Sequence, residues 1–333
     1  MNIKKIGLTA LAGSLMATSA FAVEYSMSGA MTTKYSDQSG TVTNNADGIG
    51  LDTDLTFSSS GELDNGFTVS AVMVLDTQSA VSNTSSQLTL GMGSLGTLQL
   101  NQNVGSKTNA IDDVLPYAYN ETWDGLSDVN PSFFGDQQLD GSVDYRAPAF
   151  EVSGVTVNAS LTYDFATDVA GADSGAPAAG ANNSSTGYTL QIAHDSGLEI
   201  GGGYIDANNG SAAGGNDEQQ VTAYAKYAMG PFALGYQEAY QNTENGGQDK
   251  AAKMWSVVYT AGDLSVSYGE ASLTTEARGV TTEVEADIDT LQAAYTMGAM
   301  TISAATSDTS NSGATPVLGN KYEENEIAVS FAF

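Results

Sequence analysis

The chain has 333 residues with no cysteine, one histidine, 37 glycines and a formal charge of −29, from 39 acidic against ten basic side chains. The missing cysteines remove disulfide scaffolds, thiolate metal sites and thiol catalysis. The excess of acids also removes nucleic acid as a partner, because phosphate binding needs a basic footprint.

Lys4 and Lys5 precede an apolar run from Ile6 to Met16, which closes on Ala20-Phe21-Ala22. This is the pattern of a cleaved export signal over 1–22, with Val23 opening the mature chain. The run is well short of the roughly 20 residues a spanning helix needs. No later stretch reaches that length either, so an exported chain of this kind enters a membrane only as a closed barrel.

From Val23 onward the apolar residues recur with period two. Phe67 to Leu75, Leu88 to Met92, Leu98 to Leu100, Val155 to Phe165, Tyr188 to Ile192, Val221 to Met229, Leu264 to Tyr268 and Met300 to Ala304 all alternate. The last strand is the clearest, with Ile327, Val329, Phe331 and Phe333 on one face and Glu326, Ala328, Ser330 and Ala332 on the other. Tight turns such as Asp195-Ser196-Gly197, Gly230-Pro231, Ala261-Gly262-Asp263 and Gly298-Ala299 alternate with long polar connections. The longest of these runs from Gly105 to Gly141. Short turns at one end and long loops at the other predict an all-β chain: a 16-stranded antiparallel transmembrane β-barrel over 23–333. A soluble β-sandwich is the alternative reading of the same alternation.

Within this frame the chain resembles the trimeric general porins of Gram-negative outer membranes, most closely their alphaproteobacterial branch. The resemblance rests on the terminal Phe333, the hairpin Leu88 to Leu100 reading LTLGMGSLGTLQL, the turn Ser59-Ser60-Gly61-Glu62-Leu63-Asp64-Asn65-Gly66, and Ser142-Val143-Asp144-Tyr145-Arg146-Ala147-Pro148 after the long third loop. It implies a homotrimer in the outer membrane, in contact with its lipid and lipopolysaccharide, with the third loop folded inward to narrow each pore. It also implies that acids of that loop line the constriction, with Asp112, Asp113, Glu121, Asp124 and Asp128 the first candidates. Asp136 and Asp140 lie in the same loop. A ring of carboxylates in a narrow aqueous channel attracts cations and repels anions. Loop aromatics Tyr117, Tyr119, Trp123, Phe133 and Phe134 are expected to pack the loop against the wall rather than bind ligand.

Where the family carries a basic cluster on the wall, this sequence has few cations. Arg146 matches the family's arginine after the third loop, and alternation turns it inward with Asp144. Gln102 stands at the position of the arginine before the loop, and Ala30 and Thr56 fall near two other basic positions. Asp52, Asp54, Asp164 and Glu199 are further expected lumen acids. Lys34 and Lys226 also turn inward, at a distance from the neck. Tyr25, Tyr35, Tyr145, Tyr163, Tyr227, Tyr236, Trp255, Tyr259, Phe331 and Phe333 are expected on the outer face, where interfacial aromatic girdles form.

Gly91-Met92-Gly93-Ser94-Leu95-Gly96 spells the dinucleotide-binding fingerprint, but Thr97 to Asn103 alternates as a strand where that chemistry needs a helix. His194, Asp195 and Ser196 share a tight turn and cannot form a catalytic relay. The resulting expectation is a passive, cation-preferring channel for small hydrophilic solutes, without enzymatic activity and without an organic cofactor. Ca²⁺ on an acidic loop is a weaker expectation, since no loop has a full ligand spacing. A substrate-selective channel, a lipid-acting barrel enzyme built on His194 and a plugged structural or adhesive barrel are the alternatives.

Overall fold

The computed structural model describes residues 24–41, 47–76, 82–102, 106–124, 129–135, 141–165, 183–209, 217–243, 248–277, 283–313 and 316–333. Residues 1–22, expected to form the leader, lie outside them, as do Asp128, Asp136 and Asp140 of the third loop. Among the described residues no helix is long and apolar enough to cross a membrane.

The first half of the sheet comprises β1 (Glu24–Gly40), β2 (Asp47–Glu62), β3 (Thr68–Asp76), β4 (Ser82–Gly91), β5 (Thr97–Gln102), β6 (Ser142–Arg146), β7 (Phe150–Val152) and β8 (Val155–Asp164). It continues through β9 (Asn183–His194), β10 (Leu198–Asn209), β11 (Glu218–Met229), β12 (Phe232–Thr243) and β13 (Gln248–Ala261). The last four are β14 (Leu264–Ala277), β15 (Val284–Met297), β16 (Met300–Ser310) and β17 (Lys321–Ala332). Each strand pairs antiparallel with its neighbours, and β17 pairs with β1, so the sheet closes on itself. The short β6 and β7 both pair with β8, on either side of Ala147-Pro148-Ala149, and act as one interrupted strand. Seventeen segments therefore occupy 16 positions around the barrel. Pro148 explains the break, since its ring nitrogen has no hydrogen to give to the ladder.

Closure satisfies the backbone groups that an open edge would leave in hydrocarbon. At the seam the ladder runs from Ala30↔Ala332 to Gly40↔Tyr322. Beyond it, Gly29 donates to the Phe333 carbonyl at 2.8 Å and Phe333 donates back at 2.9 Å. A Cβ at Gly29 would lie 2.7 Å from the Phe333 ring, so the terminal aromatic seats directly over this glycine. The hairpins at Gly230 and Gly262 turn at φ +58° and +61°, a left-handed backbone that glycine adopts without a Cβ penalty.

The two faces of the sheet are inverted relative to a soluble protein. On β12 Phe232, Leu234, Tyr236 and Tyr240 are exposed, while Gln237 and Gln241 are buried. The same inversion places Thr222, Ser256, Ser267, Thr290, Gln292, Ser303 and Ser307 inside. Large apolar side chains outside and amides and hydroxyls inside are the arrangement of a barrel immersed in lipid around a polar lumen. The expected outer aromatics Tyr25, Tyr35, Tyr145, Tyr163, Tyr236, Trp255, Tyr259, Phe331 and Phe333 all lie on the exposed face.

The rejected motifs fall as their chemistry requires. Gly93–Leu95 form one 3-10 turn and Thr97 begins β5, so no helix follows the glycines. His194 ends β9 and its Nδ1 lies 2.8 Å from the Ser196 hydroxyl within the exposed turn.

Candidate functional site

After β5 the chain leaves the wall and runs along the polar face of the sheet. Buried backbone groups need partners, and in this loop the lumen side chains supply them. Gln237 donates to the carbonyls of Ile111 and Asp112, both at 2.8 Å, and accepts from the Val114 amide at 3.3 Å. Ser256 donates to the Pro116 carbonyl at 2.6 Å, and Ser267 accepts from the Ala118 amide at 2.9 Å. Gln292 accepts from the Tyr119 amide at 3.1 Å and donates to the Asn120 carbonyl at 2.6 Å. Thr290 donates to the Thr122 carbonyl at 2.7 Å, and Gln220 accepts from the Gly135 amide at 2.7 Å. The anchors thus span β11 to β15, and the Tyr119 hydroxyl donates to Glu326 on β17.

Apolar packing completes the attachment. Ile111, Leu115, Trp123, Val129, Phe133 and Phe134 of the loop form a buried cluster with Ile205, Met254, Leu273 and Ile288 of the wall. Three inward-facing glycines make the space. A Cβ at Gly203 would lie 2.7 Å from Ile111 Cδ1, one at Gly235 2.7 Å from Leu115 Cδ2, and one at Gly269 2.5 Å from Thr122 Oγ1. The expectation that Tyr117, Trp123, Phe133 and Phe134 are packing residues therefore agrees with their positions, Tyr117 and Trp123 meeting edge to face at 6.4 Å.

The structure brings four of the five candidate loop acids together. Asp112 accepts from the Ser132 hydroxyl at 3.1 Å. Carboxyl-to-carboxyl hydrogen bonds link Asp112 to Asp113, Asp113 to Glu121 and Glu121 to Asp124. Such contacts require shared protons. Burial pushes Asp113 up to about 9, helped by the Asp112 charge and the bond to Glu121. Burial first, then the bond and charge of Glu121, push Asp124 up to about 7. Glu121 is held below its ordinary value chiefly by the Asp124 hydrogen bond. The chain therefore reads as an ionised Glu121 between two carboxyls that tend to keep their protons. Burial also raises Asp112 and the hydroxyls of Tyr117 and Tyr119. The fifth candidate, Asp128, lies outside the described residues.

On the wall, three cations that alternation turns inward meet a carboxylate, while Lys250 of β13 lies 5.5 Å from the centre of the Phe133 ring of the loop. Arg146 Nε lies 2.7 Å from Asp144, which is fully buried and also accepts from Thr162 at 2.8 Å and the Lys107 amide at 3.3 Å. The guanidinium also donates to Gln99. Lys226 lies 3.2 Å from Glu199, and Lys34 lies 2.7 Å from Glu326. Two expectations need correction here. Gln102 shares the face of Leu98 and Leu100, opposite the buried Gln99 and Asn101. It therefore points away from the lumen, because one residue along a strand exchanges the faces, and Gln99 is the residue that meets Arg146. Lys34 is not remote from the loop: its partner Glu326 is the carboxylate that Tyr119 grips.

Sequence reasoning missed Glu324 and Glu326 as site residues, although alternation with Ile327 placed both inside. It also missed Gln237 and Gln292, whose roles depend on the path of a loop with no period to read. Asp54 faces the lumen, exposed, and with Asp52 and Asp76 brings three carboxylate oxygens within 4.8 Å of one another. Among the described residues this is the one such group compatible with a metal ion.

A family model described as Gram-negative porin matches residues 7–286. The fold is shared with solved structures at low identity. A loop L8 deletion mutant of OmpT, an outer membrane protein of Vibrio cholerae, superposes with a TM-score of 0.70 at 13% identity, covering 94% of this chain and 100% of that one. The anion-selective porin from Comamonas acidovorans gives 0.68 at 14%, covering 93% and 100%. Salmonella typhi OmpF in complex with daunomycin gives 0.65 at 12%, covering 93% and 97%. No curated protein sequence matches the chain. The chain belongs to the Gram-negative porin family, and it is an outer-membrane channel protein.

Proposed function

We propose that this porin forms a water-filled, cation-preferring pore for passive diffusion of small hydrophilic solutes, with three copies per assembly and lipopolysaccharide around them. The fold does not decide selectivity, since one neighbour of nearly equal similarity is named as anion-selective. Charge placement supports the reading: Arg146, Lys34 and Lys226 are each offset by Asp144, Glu326 and Glu199, while the loop adds an ionised Glu121 and the carboxyls of Asp112, Asp113 and Asp124, which gain charge as pH rises. A wall whose cations are mostly paired, opposite an acidic loop, leaves a negative field along the path of a solute, focused by the low-dielectric barrel around it. The loop, held against the wall from β10 to β17, narrows the lumen and sets the size limit. Transport of this kind needs binding weak enough for release and no chemical step.

The test is the zero-current potential of purified protein in a planar bilayer under a KCl gradient. A potential of the sign set by K⁺, with closures in threes, supports the reading. An anion-sign potential overturns the selectivity, and folded protein without conductance overturns the channel in favour of a plugged barrel.

A further inference from the structure

The third loop covers one part of the wall and leaves another open. The hydrogen bonds that hold it reach β6, β8, β11 to β15 and β17, and the inward aliphatic side chains Ile205, Met254, Leu273 and Ile288 are buried beneath it. No residue of β1 to β4 is buried, so the open lumen lies between the loop and this arc. Register fixes which side chains of the arc face that space. Gln87 donates to the buried Asn101 of the inner face at 3.0 Å and stands directly opposite Val72. Cross-strand partners share a face, so Val72 points into the lumen, and so does Val74 two residues on. Met73 between them is exposed on the outer face. The other inward positions of β1 to β4 carry serine, threonine, glycine, glutamine or asparagine-free acidic pairs, with Ala30 and Lys34, so Val72 and Val74 are the two aliphatic side chains larger than alanine on this arc. Both are only partly buried. The next inward position after Val74 is Asp76, about 7 Å further along the strand, where Asp52, Asp54 and Asp76 bring carboxylate oxygens within 4.8 Å of one another.

We propose that Val72 and Val74 form an apolar step in the solute path that favours organic ammonium ions bearing an alkyl segment over polar ammonium ions of equal charge and size. The inference rests on the cation-preferring reading above and adds to it the class of solute. The ammonium group is drawn in by the wall carboxylates and by Glu121, while the alkyl part lies against the two valines and leaves water, which is favourable in proportion to the apolar area covered. Lys34 on the same arc is engaged by Glu326 at 2.7 Å and does not cancel the attraction. Contact with one wall covers only a fraction of an alkyl chain, so the preference is about twofold, below the roughly fourfold that full burial of one methylene supplies. Weak contact of this size suits conduction, because a solute held tightly does not leave.

The experiment compares n-butylammonium with 3-hydroxypropylammonium, which match in charge and heavy-atom count and differ by a methyl against a hydroxyl. Their permeability ratio is read from bi-ionic zero-current potentials of the purified protein in a planar bilayer. The expected ratio is about two in favour of butylammonium. Val72→Thr together with Val74→Thr exchanges a methyl for a hydroxyl at each site and keeps the branched shape that suits a strand. The double variant should bring the ratio to about one and leave the KCl zero-current potential unchanged. Val74→Thr alone should fall between, and it serves if the double variant does not fold. Equal permeability of the two ions in the native protein, or a preference that survives both exchanges, overturns the proposal. The KCl potential reports the channel reading separately: an anion sign overturns cation preference whatever the ratio shows, and folded protein without conductance overturns both.

Discussion

Lys34 of β1 and Glu326 of β17 meet at 2.7 Å across the barrel seam, and the carboxylate they share accepts the Tyr119 hydroxyl of the third loop. The two strands farthest apart in sequence thus position a lysine beside the acidic loop. Lys34→Gln removes that positive charge and frees Glu326 to act on passing ions. A unit charge about 8 Å away in water is worth about 0.5 kcal/mol, roughly a twofold change in local ion occupancy. The cation-to-anion permeability ratio from the zero-current potential should therefore rise about twofold, and a fall would contradict the assignment of Lys34 to the solute path.

The shared protons of the loop make selectivity depend on pH. Asp124, pushed up to about 7, and Asp113, pushed up to about 9, gain charge between pH 6 and 10. Cation preference should climb across that window and level off above it. Asp113→Asn should flatten the upper part of the rise while changing little at pH 6, where the native side chain is already protonated. Stability carries the opposite sign: a carboxyl whose folded value lies above its unfolded value of about 4 stabilises least once pH exceeds the folded value. Unfolding midpoints should drop from pH 6 to 10, and less so in the variant. A permeability ratio constant over this range would show that the carboxyl chain does not face the pore.

Gly203 tests the notches that seat the loop. Gly203→Val places branched carbons where a Cβ alone would lie 2.7 Å from Ile111 Cδ1 and 2.8 Å from Phe134 Cζ. Overpacking of this kind costs about 1–3 kcal/mol, and here the loop yields before the closed sheet does. Far-ultraviolet circular dichroism should keep its β signature while single-channel conductance shifts and becomes noisier. Unchanged conductance with an unchanged unfolding midpoint would mean that the loop does not depend on this contact.

The barrel was legible because lipid and water impose opposite demands on alternate residues. Ile327 and Phe331 must face hydrocarbon, so Glu326 and Ala328 must face the lumen, and the turn residues Gly230 and Gly262 fix where the chain reverses. The same rule placed Arg146 and Asp144 correctly. It failed at Gln102, where a position carried over by resemblance slipped by one residue onto the outer face. The pairing of Lys34 with Glu326 was hidden for another reason: barrel closure brings together residues nearly 300 positions apart, and local alternation carries no information about which strand closes on which. The loop was recognisable as acidic and aromatic, yet its anchors were not, because Gln237 and Gln292 become hydrogen-bond partners only once the loop has chosen its path.

Gln237 is the most heavily used of those anchors, serving two carbonyls and one amide of the loop besides Thr222 at 3.0 Å. Gln237→Leu keeps nearly the same volume but leaves the Ile111 and Asp112 carbonyls and the Val114 amide without their partner. Each buried group left unsatisfied costs about 1–3 kcal/mol, so several are lost together unless water enters. The barrel ladder β11–β12–β13 is untouched, because Gln237 contributes to it only through its backbone. The expected outcome is therefore local: hydrogen exchange at Val114 should accelerate strongly while amides of β12 and β13 keep their protection. Uniform loss of protection would instead show that loop and barrel unfold as one unit, and unchanged exchange at Val114 would show that the loop amide has another partner in solution.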